Sequence, residues 1–360
     1  MLRQRQKSDY WLALTVVVLT LFGLLMVYDA SVAEAYHKFG DKYFYLKKQL
    51  QWVGLGAFLS LVFSRINYSW LKKFSGLGML AAVLLLALVL IPGIGARAMG
   101  AQRWINLAGF SLQPAELTKL SLVVYLAAWF GERKPLWPIV VLVGLILGLV
   151  VLEPDLGTAV VIVATGFLMY FVAGADLASL ILFSVLGGLT GAALIWLSPY
   201  RRQRLLTFLN PAVDPLGASY HIRQILIAVG SGGLFGLGLG KSRQKYEYLP
   251  AGTTDSIFAI IAEEIGFIGS VGLIFIFIFL IWRGIRIAKQ TPDDFGRLLA
   301  AGIVAWLGVQ TLINLAAMVA LVPLTGVPLP FISYGGSSMV MNLLAVGILL
   351  NISQNQVARK

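Results

Sequence analysis

Ten apolar runs of membrane-spanning length are the feature that most constrains this chain of 360 residues. A helix needs roughly 20 mostly apolar residues to cross the hydrocarbon core of a bilayer. Hydrophobic residues make up 59% of the chain and charged residues 12%, which excludes a disordered chain and argues against a soluble enzyme. The sequence therefore predicts an all-α integral membrane protein, a single polytopic domain over 1–360. The predicted spans are 10–28, 46–63, 75–91, 114–130, 137–152, 157–173, 177–197, 256–282, 298–321 and 337–351.

Lysine and arginine are divided unevenly between the predicted connections. With the N-terminus placed inside, the inside segments contain 14 of these residues and the short outside loops contain six. Cytoplasmic segments of membrane proteins carry such an excess, so both termini are predicted to be cytoplasmic. The net charge of +12 is then explained by membrane topology and by binding to anionic membrane lipids. It does not indicate a nucleic-acid-binding protein.

The longest predicted outside loop, 198–254, joins spans seven and eight. Its segment 220–229 is amphipathic and is expected to lie on the membrane surface or to re-enter it. A glycine-rich segment, 230–240, follows. The sequence Gly240-Lys241-Ser242 looks like the end of a phosphate-binding P-loop, but Phe235 stands where that motif needs a glycine. A nucleotide site is therefore not predicted there.

Ionisable residues near the outer ends of the spans each have two interpretations. Glu116 and Lys119 share a helix face, either as a self-neutralising ion pair or as two groups aimed at a polar headgroup. Glu153 and Asp155 either form a turn in which Asp155 caps span six, or bind a divalent cation such as Mg or Mn. With no cysteine and two histidines, the chain cannot build a cysteine-ligated or multi-histidine metal site.

Asp255 stands at the outer start of span eight. It is either the N-cap of that helix or a general base at the membrane–water boundary. Glu263 and Glu264 lie deeper in the same span and face different sides of the helix. At least one of them is therefore expected to need a partner from another span.

Basic residues in the outside loops form candidate phosphate-binding groups, because clustered arginine recognises phosphate through paired hydrogen bonds. Arg103 lies in the loop before span four, and the long loop contains, among others, Arg201, Arg202, Arg204 and Lys241. The alternative for each is contact with ordinary anionic lipid headgroups.

The uncharged segment 322–338, VPLTGVPLPFISYGGSS, predicts an ordered loop over the outer face. From Pro323 to Ser338 it closely resembles the signature of the shape, elongation, division and sporulation family, which includes the RodA and FtsW cell-wall proteins. The resemblance continues at 100–105, 113–116, 153–158 and 254–264, in the family's order, and so covers nearly the whole chain. The Gly-Val-Pro-Leu-Pro sequence and the short termini look more like RodA, of elongation, than FtsW, of division.

Four positions depart from the family pattern. The family usually has glycine at Ala320, an acidic residue at Ala251, often histidine at Thr253 and commonly phenylalanine at Ser256. These departures put in doubt only local packing and any helper role beside Asp255.

The resemblance implies an inverting peptidoglycan glycosyltransferase of the cytoplasmic (inner) membrane, active on the extracytoplasmic face and required for elongation and rod shape. It would polymerise lipid II into β-1,4 glycan strands. Asp255 matches the family's essential aspartate and is the expected general base, while Arg103, Glu116, Lys119 and Asp155 match polar positions around the family's outer cavity. The expected partners are lipid II, the nascent glycan strand, a class B penicillin-binding protein and other elongation-complex proteins. No cofactor is expected beyond a divalent cation.

Two other functions fit many spans with few buried charges. One is a transporter, for example a lipid II flippase. Most polar groups lie at the outer edge of the predicted spans and not at their middle, which favours chemistry there over transport. The other is a non-catalytic scaffold, for which loss of Asp255 would be silent.

Overall fold

The computed structural model describes residues 8–98, 101–107, 110–210, 217 and 219–354. Gly100 and the basic residues of both termini that entered the orientation count lie outside these ranges. The helices are α1 Tyr10–Phe39, α2 Phe44–Arg65, α3 Ser69–Val89, α4 Pro114–Gly131, α5 Trp137–Leu152, α6 Leu156–Val172, α7 Leu177–Trp196, α8 Pro199–Leu209, α9 Tyr220–Ser231, α10 Ile257–Gln290, α11 Asp294–Met318 and α12 Gly336–Ser353. The strands are β1 Gly95–Ala98, β2 Ala101–Leu107 and β3 Phe110–Leu112.

Each of the ten predicted spans coincides with a helix, namely α1 to α7 and α10 to α12. In the described part of the chain, α1, α3, α7, α10, α11 and α12 are long and apolar enough to cross a membrane, and α5 and α6 are shorter apolar helices. The polytopic all-α fold is thus confirmed, while the number of ten spans stays a prediction. Helix α1 runs eleven residues past its predicted span, to a left-handed C-cap at Gly40 (φ +68°), because polar residues continue a helix readily outside the bilayer.

One end of the bundle is held together by ionic contacts between distant helices. Arg283 near the end of α10 pairs with Asp9, the N-cap of α1, and the backbone N–H of Asp9 donates to Ser353 Oγ of α12 (3.1 Å). Lys72 Nζ of α3 lies 3.0 Å from Glu132 Oε1 after α4. This is the predicted cytoplasmic end. The opposite end, called the outer end, carries the connections 90–113, 153–155, 197–256 and 319–335.

The centre of the bundle is built by α4, α10, α11 and α12, with α2 lying along α12. A side chain at Gly56 of α2 would meet Leu343 of α12 at 2.7 Å, and one at Gly347 would collide with the Ser60 carbonyl. Glycine at these positions lets the two backbones approach closely, which is how helices gain packing energy inside a membrane. Helix α7 packs on α8 and leaves most of its surface facing outward.

A small antiparallel sheet, in the order β1-β2-β3, lies at the outer end between α3 and α4. The sequence analysis predicted no strands there. The Gln102 Nε2 group donates to the carbonyls of Ile91 and Gly95, both at 3.1 Å, which ties the sheet to the end of α3. The sheet places Arg103 on its central strand.

Helix α10 is interrupted at Gly266, whose φ of +68° and ψ of −169° are not helical. The glycine-rich segment after α9 lies in this break. The N–H groups of Leu237 and Gly238 donate to the carbonyls of Glu263 and Glu264, and those of Phe267 and Ile268 donate to Gly233 and Leu234, all between 2.9 and 3.1 Å. Backbone groups left unpaired inside a membrane cost several kcal/mol each, so the segment stabilises the break. The predicted span eight is therefore one helix with an inserted loop.

Candidate active site

The turn before α10 presents the Asp255 carboxylate without using it as a helix cap. Ala251 has a φ of +52°, and its carbonyl accepts from the N–H groups of Thr254 and Ser256, both at 3.1 Å. Ser256, not Asp255, occupies the N-cap position of α10. Asp255 is partly exposed, and its Oδ1 accepts a hydrogen bond from Thr254 Oγ1 (2.9 Å). The capping interpretation of Asp255 is therefore wrong, and the carboxylate keeps capacity for other contacts.

The outer loop, residues 319–335, lies over this turn. The Asn314 side chain of α11 donates to the carbonyl of Asp255 (2.7 Å) and to that of Val327 (2.8 Å). A Cβ on Gly326 would lie 3.9 Å from Asp255 Oδ2, and the φ of +72° at Gly326 favours glycine there. One buried amide therefore fixes the turn and the loop to each other beside the carboxylate.

Two basic side chains from the long loop lie near Asp255. His221 Nε2 of α9 is 2.8 Å from Ser256 Oγ. Burial lowers the pKa of His221, and the Arg204 cation lowers it further, whereas the Asp255 charge raises it. Arg204 Nη1 of α8 donates to the carbonyl of Leu324 in the outer loop (3.0 Å). The imidazole of His221 is thus within electrostatic reach of Asp255, and the Arg204 guanidinium links that imidazole to the outer loop.

A second cluster joins the sheet to the turn between α5 and α6. Arg103 donates from Nε to the Glu153 carbonyl (2.8 Å) and from Nη2 to the Pro154 carbonyl, and its Nη1 lies 3.9 Å from Asp155 Oδ2. The Asp155 carboxylate accepts from the N–H and the hydroxyl of Thr158, both at 3.0 Å. Asp155 therefore does cap α6, and Arg103 is held where it reaches an acidic group.

Glu153 is enclosed in this cluster. Its side chain is buried, and neither carboxyl oxygen has a hydrogen-bond partner among the described residues. Burial raises the pKa of Glu153 to about 8, with a further rise from Asp155 and an opposing effect of Arg103. A carboxyl group in this environment is protonated at neutral pH.

The outer loop connects the two clusters. Gly157, in the first turn of α6, packs so closely on the loop that a side chain there would collide with the Thr325 carbonyl. Val327, two residues further on, contacts Gly157 and accepts from Asn314. The Asp255 turn and the Arg103 cluster therefore border the same loop at the outer end.

The predicted pair of Glu116 and Lys119 is formed and buried. Lys119 Nζ lies 2.8 Å from Glu116 Oε1 and 2.7 Å from Gln310 Oε1 of α11, and it stands 5.3 Å from the ring centre of Trp306. Gln310 in turn donates to the carbonyl of Pro328 in the outer loop (3.0 Å). This geometry matches the self-neutralising interpretation, and contact of the pair with substrate stays a prediction.

The other predicted basic residues lie in different surroundings. Arg201 donates to the carbonyls of Leu194 and Val151, both at 3.2 Å, and so ties α8 to α7 and α5. Arg202 and Lys241 are exposed. Lys241 directly follows the glycine-rich segment, and its N–H donates to the carbonyl of Gly238 (3.1 Å).

Glu263 and Glu264 are buried beside the break in α10. The N–H groups of Gly240 and Ser242 donate to Glu264 (3.1 and 3.0 Å), and Lys245 Nζ pairs with Glu264 (3.1 Å) and with Asp29 of α1 (2.8 Å). Ser242, Arg243 and Gln244 donate to Glu263. Among the described residues, the partners of Glu263 and Glu264 come from the long loop, where a partner from another span was expected. Asp29 of α1 takes part by sharing Lys245 with Glu264.

A family model described as "Cell cycle protein", for the FtsW, RodA and SpoVE proteins, matches residues 10–358. The chain belongs to the FtsW/RodA/SpoVE family. It is 41% identical over 362 residues to stage V sporulation protein E of Bacillus subtilis, covering 98% of this chain and 99% of that one. It is 41% identical over 353 residues to a probable peptidoglycan glycosyltransferase FtsW of Trichlorobacter lovleyi, covering 96% and 93%.

Two solved structures share the fold of this family member. One is a chain from work on how a peptidoglycan synthase complex coordinates polymerization and crosslinking, with a TM-score of 0.79 and 29% identity over 96% of this chain and 97% of that one. The other is the rod shape determining protein RodA of Thermus thermophilus, with a TM-score of 0.72 and 29% identity over 98% of each chain. Membership of this family, with six apolar helical spans in the described part of the chain, confirms a multi-pass protein of the cytoplasmic membrane.

Two residues at the site were not among the candidates from the sequence: His221 and Asn314. Asn314 carried a signal, because an amide inside an apolar span requires a buried partner. His221 lies on the predicted amphipathic segment, but its proximity to Asp255 depends on how α9 returns to α10. The sequence does not contain that information locally.

Proposed function

We propose that this chain polymerises lipid II into β-1,4-linked glycan strands on the outer face of the cytoplasmic membrane, with Asp255 as the general base. The observation that supports this most directly is the position of the Asp255 carboxylate. It lies at the outer end, does not cap α10, is bordered by the outer loop, and is within electrostatic reach of His221.

The enzyme class predicted from the sequence, a peptidoglycan glycosyltransferase, is confirmed by relatives that carry this name and by the likeness to a chain of a peptidoglycan synthase complex. The finer assignments are part of the proposal. The elongation role is one of them, since relatives at about 40% identity are named for sporulation and as FtsW, while RodA enters through a structure at 29% identity.

The proposed step is a direct displacement. The 4-hydroxyl oxygen of the acceptor sugar bonds to the anomeric carbon of the donor, and undecaprenyl pyrophosphate leaves with the electron pair of the broken bond. Asp255 takes the proton of the hydroxyl as the new bond forms. An α-linked donor and a β-linked product require inversion, so no covalent sugar–enzyme intermediate is needed.

The leaving pyrophosphate needs positive charge more than it needs a general acid. The exposed Arg202 and Lys241 are free to turn toward a phosphate, and Arg103 is held by carbonyls beside the outer loop. Arg204, a further basic residue of the long loop, hydrogen-bonds the outer loop and acts electrostatically on His221. Glu116 and Lys119 would contribute by holding α11 and the outer loop in place.

A divalent cation remains an expectation. Among the described residues, no three His, Asp or Glu side chains converge to hold a metal ion. The Asp155 carboxylate is already engaged by the N–H and the hydroxyl of Thr158. No step of the proposed reaction is assigned to a metal.

A class B penicillin-binding protein is the proposed partner, because polymerised strands must be crosslinked. One structural relative comes from work on a complex that coordinates these two activities. The nascent glycan strand and other elongation-complex proteins complete the proposed set.

The test is polymerisation of lipid II by the purified protein in detergent, alone and with its class B partner. Asp255→Asn keeps the shape of the side chain and removes the base, so product formation should fall by about 10²–10⁴-fold. Asp294→Asn, at an exposed aspartate of the opposite end, is the matched control and should polymerise normally. Near-normal product from the Asp255 variant would overturn the assignment of the base. A wild-type protein that makes no polymer but moves lipid II across vesicles would be a flippase.

A further inference from the structure

Helix α9 is joined to the turn that carries Asp255 through one side-chain pair. His221 Nε2 lies 2.8 Å from the hydroxyl of Ser256, which is fully buried. A serine at the N-cap usually accepts a hydrogen bond from the first turn of its own helix. Ser256 makes no such bond, so its hydroxyl serves the imidazole instead.

The charged groups that face His221 come from two directions. Asp255 precedes α10, and Arg204 projects from α8; a third contact is a hydrogen bond to the backbone of Pro250. Helix α11, which also packs on α9, has no titratable residue between 298 and 318. Because burial lowers the pKa of His221 from its ordinary value of 6.5, the imidazole is neutral at pH 7.

The hydrogen bond between His221 Nε2 and the Ser256 hydroxyl joins α9 to the N-cap of α10, whichever of the two groups donates. The imidazole therefore links α9 to the residue that follows Asp255.

From this geometry we propose that His221 is a positioning residue for Asp255, which holds the carboxylate at the outer surface through Ser256 and, while uncharged, leaves it available as a base. The proposal deepens the function proposed above and depends on it for its catalytic consequence. When His221 gains a proton, a cation stands beside the carboxylate and weakens it as a proton acceptor. Glycan polymerisation should therefore slow as His221 becomes charged.

The first test measures the coupling without any activity assay. The chain has two histidines, and His37 is exposed, so His37→Gln leaves His221 as the single histidine signal in NMR of the full chain labelled at histidine. Adding Asp255→Asn should lower the pKa of His221, followed through this signal, by about 1 or more, because an anion that favours the imidazolium is removed. An unchanged titration curve would overturn the proposal, even if Asp255 proves to be the base.

The second test compares pH profiles of polymerisation. His221→Gln keeps a neutral hydrogen-bonding side chain, whereas His37→Gln is the matched control. The His221 variant should lose less activity than the wild type between about pH 7 and pH 5, with its acid limb at lower pH. The control should follow the wild type. Coincident acid limbs for the His221 variant and the wild type would refute the role of His221 in the reaction. An active Asp255→Asn protein would refute Asp255 as the base, and with it the catalytic consequence of the His221 contact, whatever the NMR titration shows.

Discussion

Replacing Lys119 with methionine should destabilise the protein far more than removing a lysine from an exposed ion pair such as Lys72–Glu132. Both side chains of the pair are 2% exposed, and Lys119 Nζ lies 2.8 Å from Glu116 Oε1. Glu116 Oε2 already has no partner among the described residues. Without Lys119 the carboxylate is a buried charge with no counterion, which costs about 3–5 kcal/mol. Gln310 loses less, because its Oε1 still accepts from Trp306.

A second substitution separates the charge from the volume. Glu116→Gln in the Lys119→Met protein replaces the stranded charge with an unpaired amide, whose cost is about 1–3 kcal/mol. The double variant should thus be about 2 kcal/mol more stable than Lys119→Met alone. The assay is unfolding in detergent micelles with increasing dodecyl sulfate, followed by circular dichroism.

Lys72→Met is the matched control, because Lys72 pairs with Glu132 at 3.0 Å but both side chains are about two-fifths exposed. Its loss should stay below about 1 kcal/mol. Equal losses for the two lysines, or no recovery in the double variant, would refute the buried-charge reasoning. If the double variant folds and polymerises lipid II normally, the pair is structural; if it folds and is inactive, the pair contributes to substrate binding.

Three further substitutions test the outer end. Gly157→Ala places a methyl group against the Thr325 carbonyl and should push the outer loop away from α6. The free energy of unfolding should fall by about 1–3 kcal/mol, measured by thermal unfolding, and the yield of polymer should also fall. Asn314→Leu removes both hydrogen bonds that join Asp255 to the outer loop, and unfolding should become easier by about 1–3 kcal/mol. Burial raises the pKa of Glu153 from 4.5 to about 8, so between pH 4.5 and about pH 8 the folded protein keeps a proton that the unfolded chain releases. The free energy of unfolding should therefore fall as the pH rises through this range. Thermal unfolding measured at several pH values should show a weaker pH dependence for Glu153→Gln.

Much of the fold followed from local patterns. The ten apolar runs predicted helices at the positions where the structure has them, since hydrophobic length is a property of consecutive residues. The amphipathic segment predicted at 220–229 is helix α9. The sheet around Arg103 could not be predicted in this way, because strands as short as β3 depend on their pairing partners.

At the glycine-rich segment and the residues that follow it, the sequence pattern alone could not identify the group that the backbone binds. Gly240 and Ser242 do present N–H groups to an anion, but the anion is the Glu264 carboxylate of the same chain. Rejecting a nucleotide site was consistent with this result. Identifying the actual partner required knowing that α10 is broken at Gly266 and that the loop fills the break.

The sequence by itself determined that the chain is a many-span helical membrane protein, which family it resembles, and that Asp255 stands at the start of a span. Those properties depend on composition and on the order of residues along the chain. Only the tertiary structure decided that Ser256 occupies the N-cap in place of Asp255, that Asp155 is engaged in capping, and that His221 and Asn314 border the site. The positions of His221 and Asn314 depend on contacts between segments far apart in sequence, which the packing of the whole bundle sets. At Asp155 and Asp255 the sequence allowed more than one local role, and the folded backbone selects one.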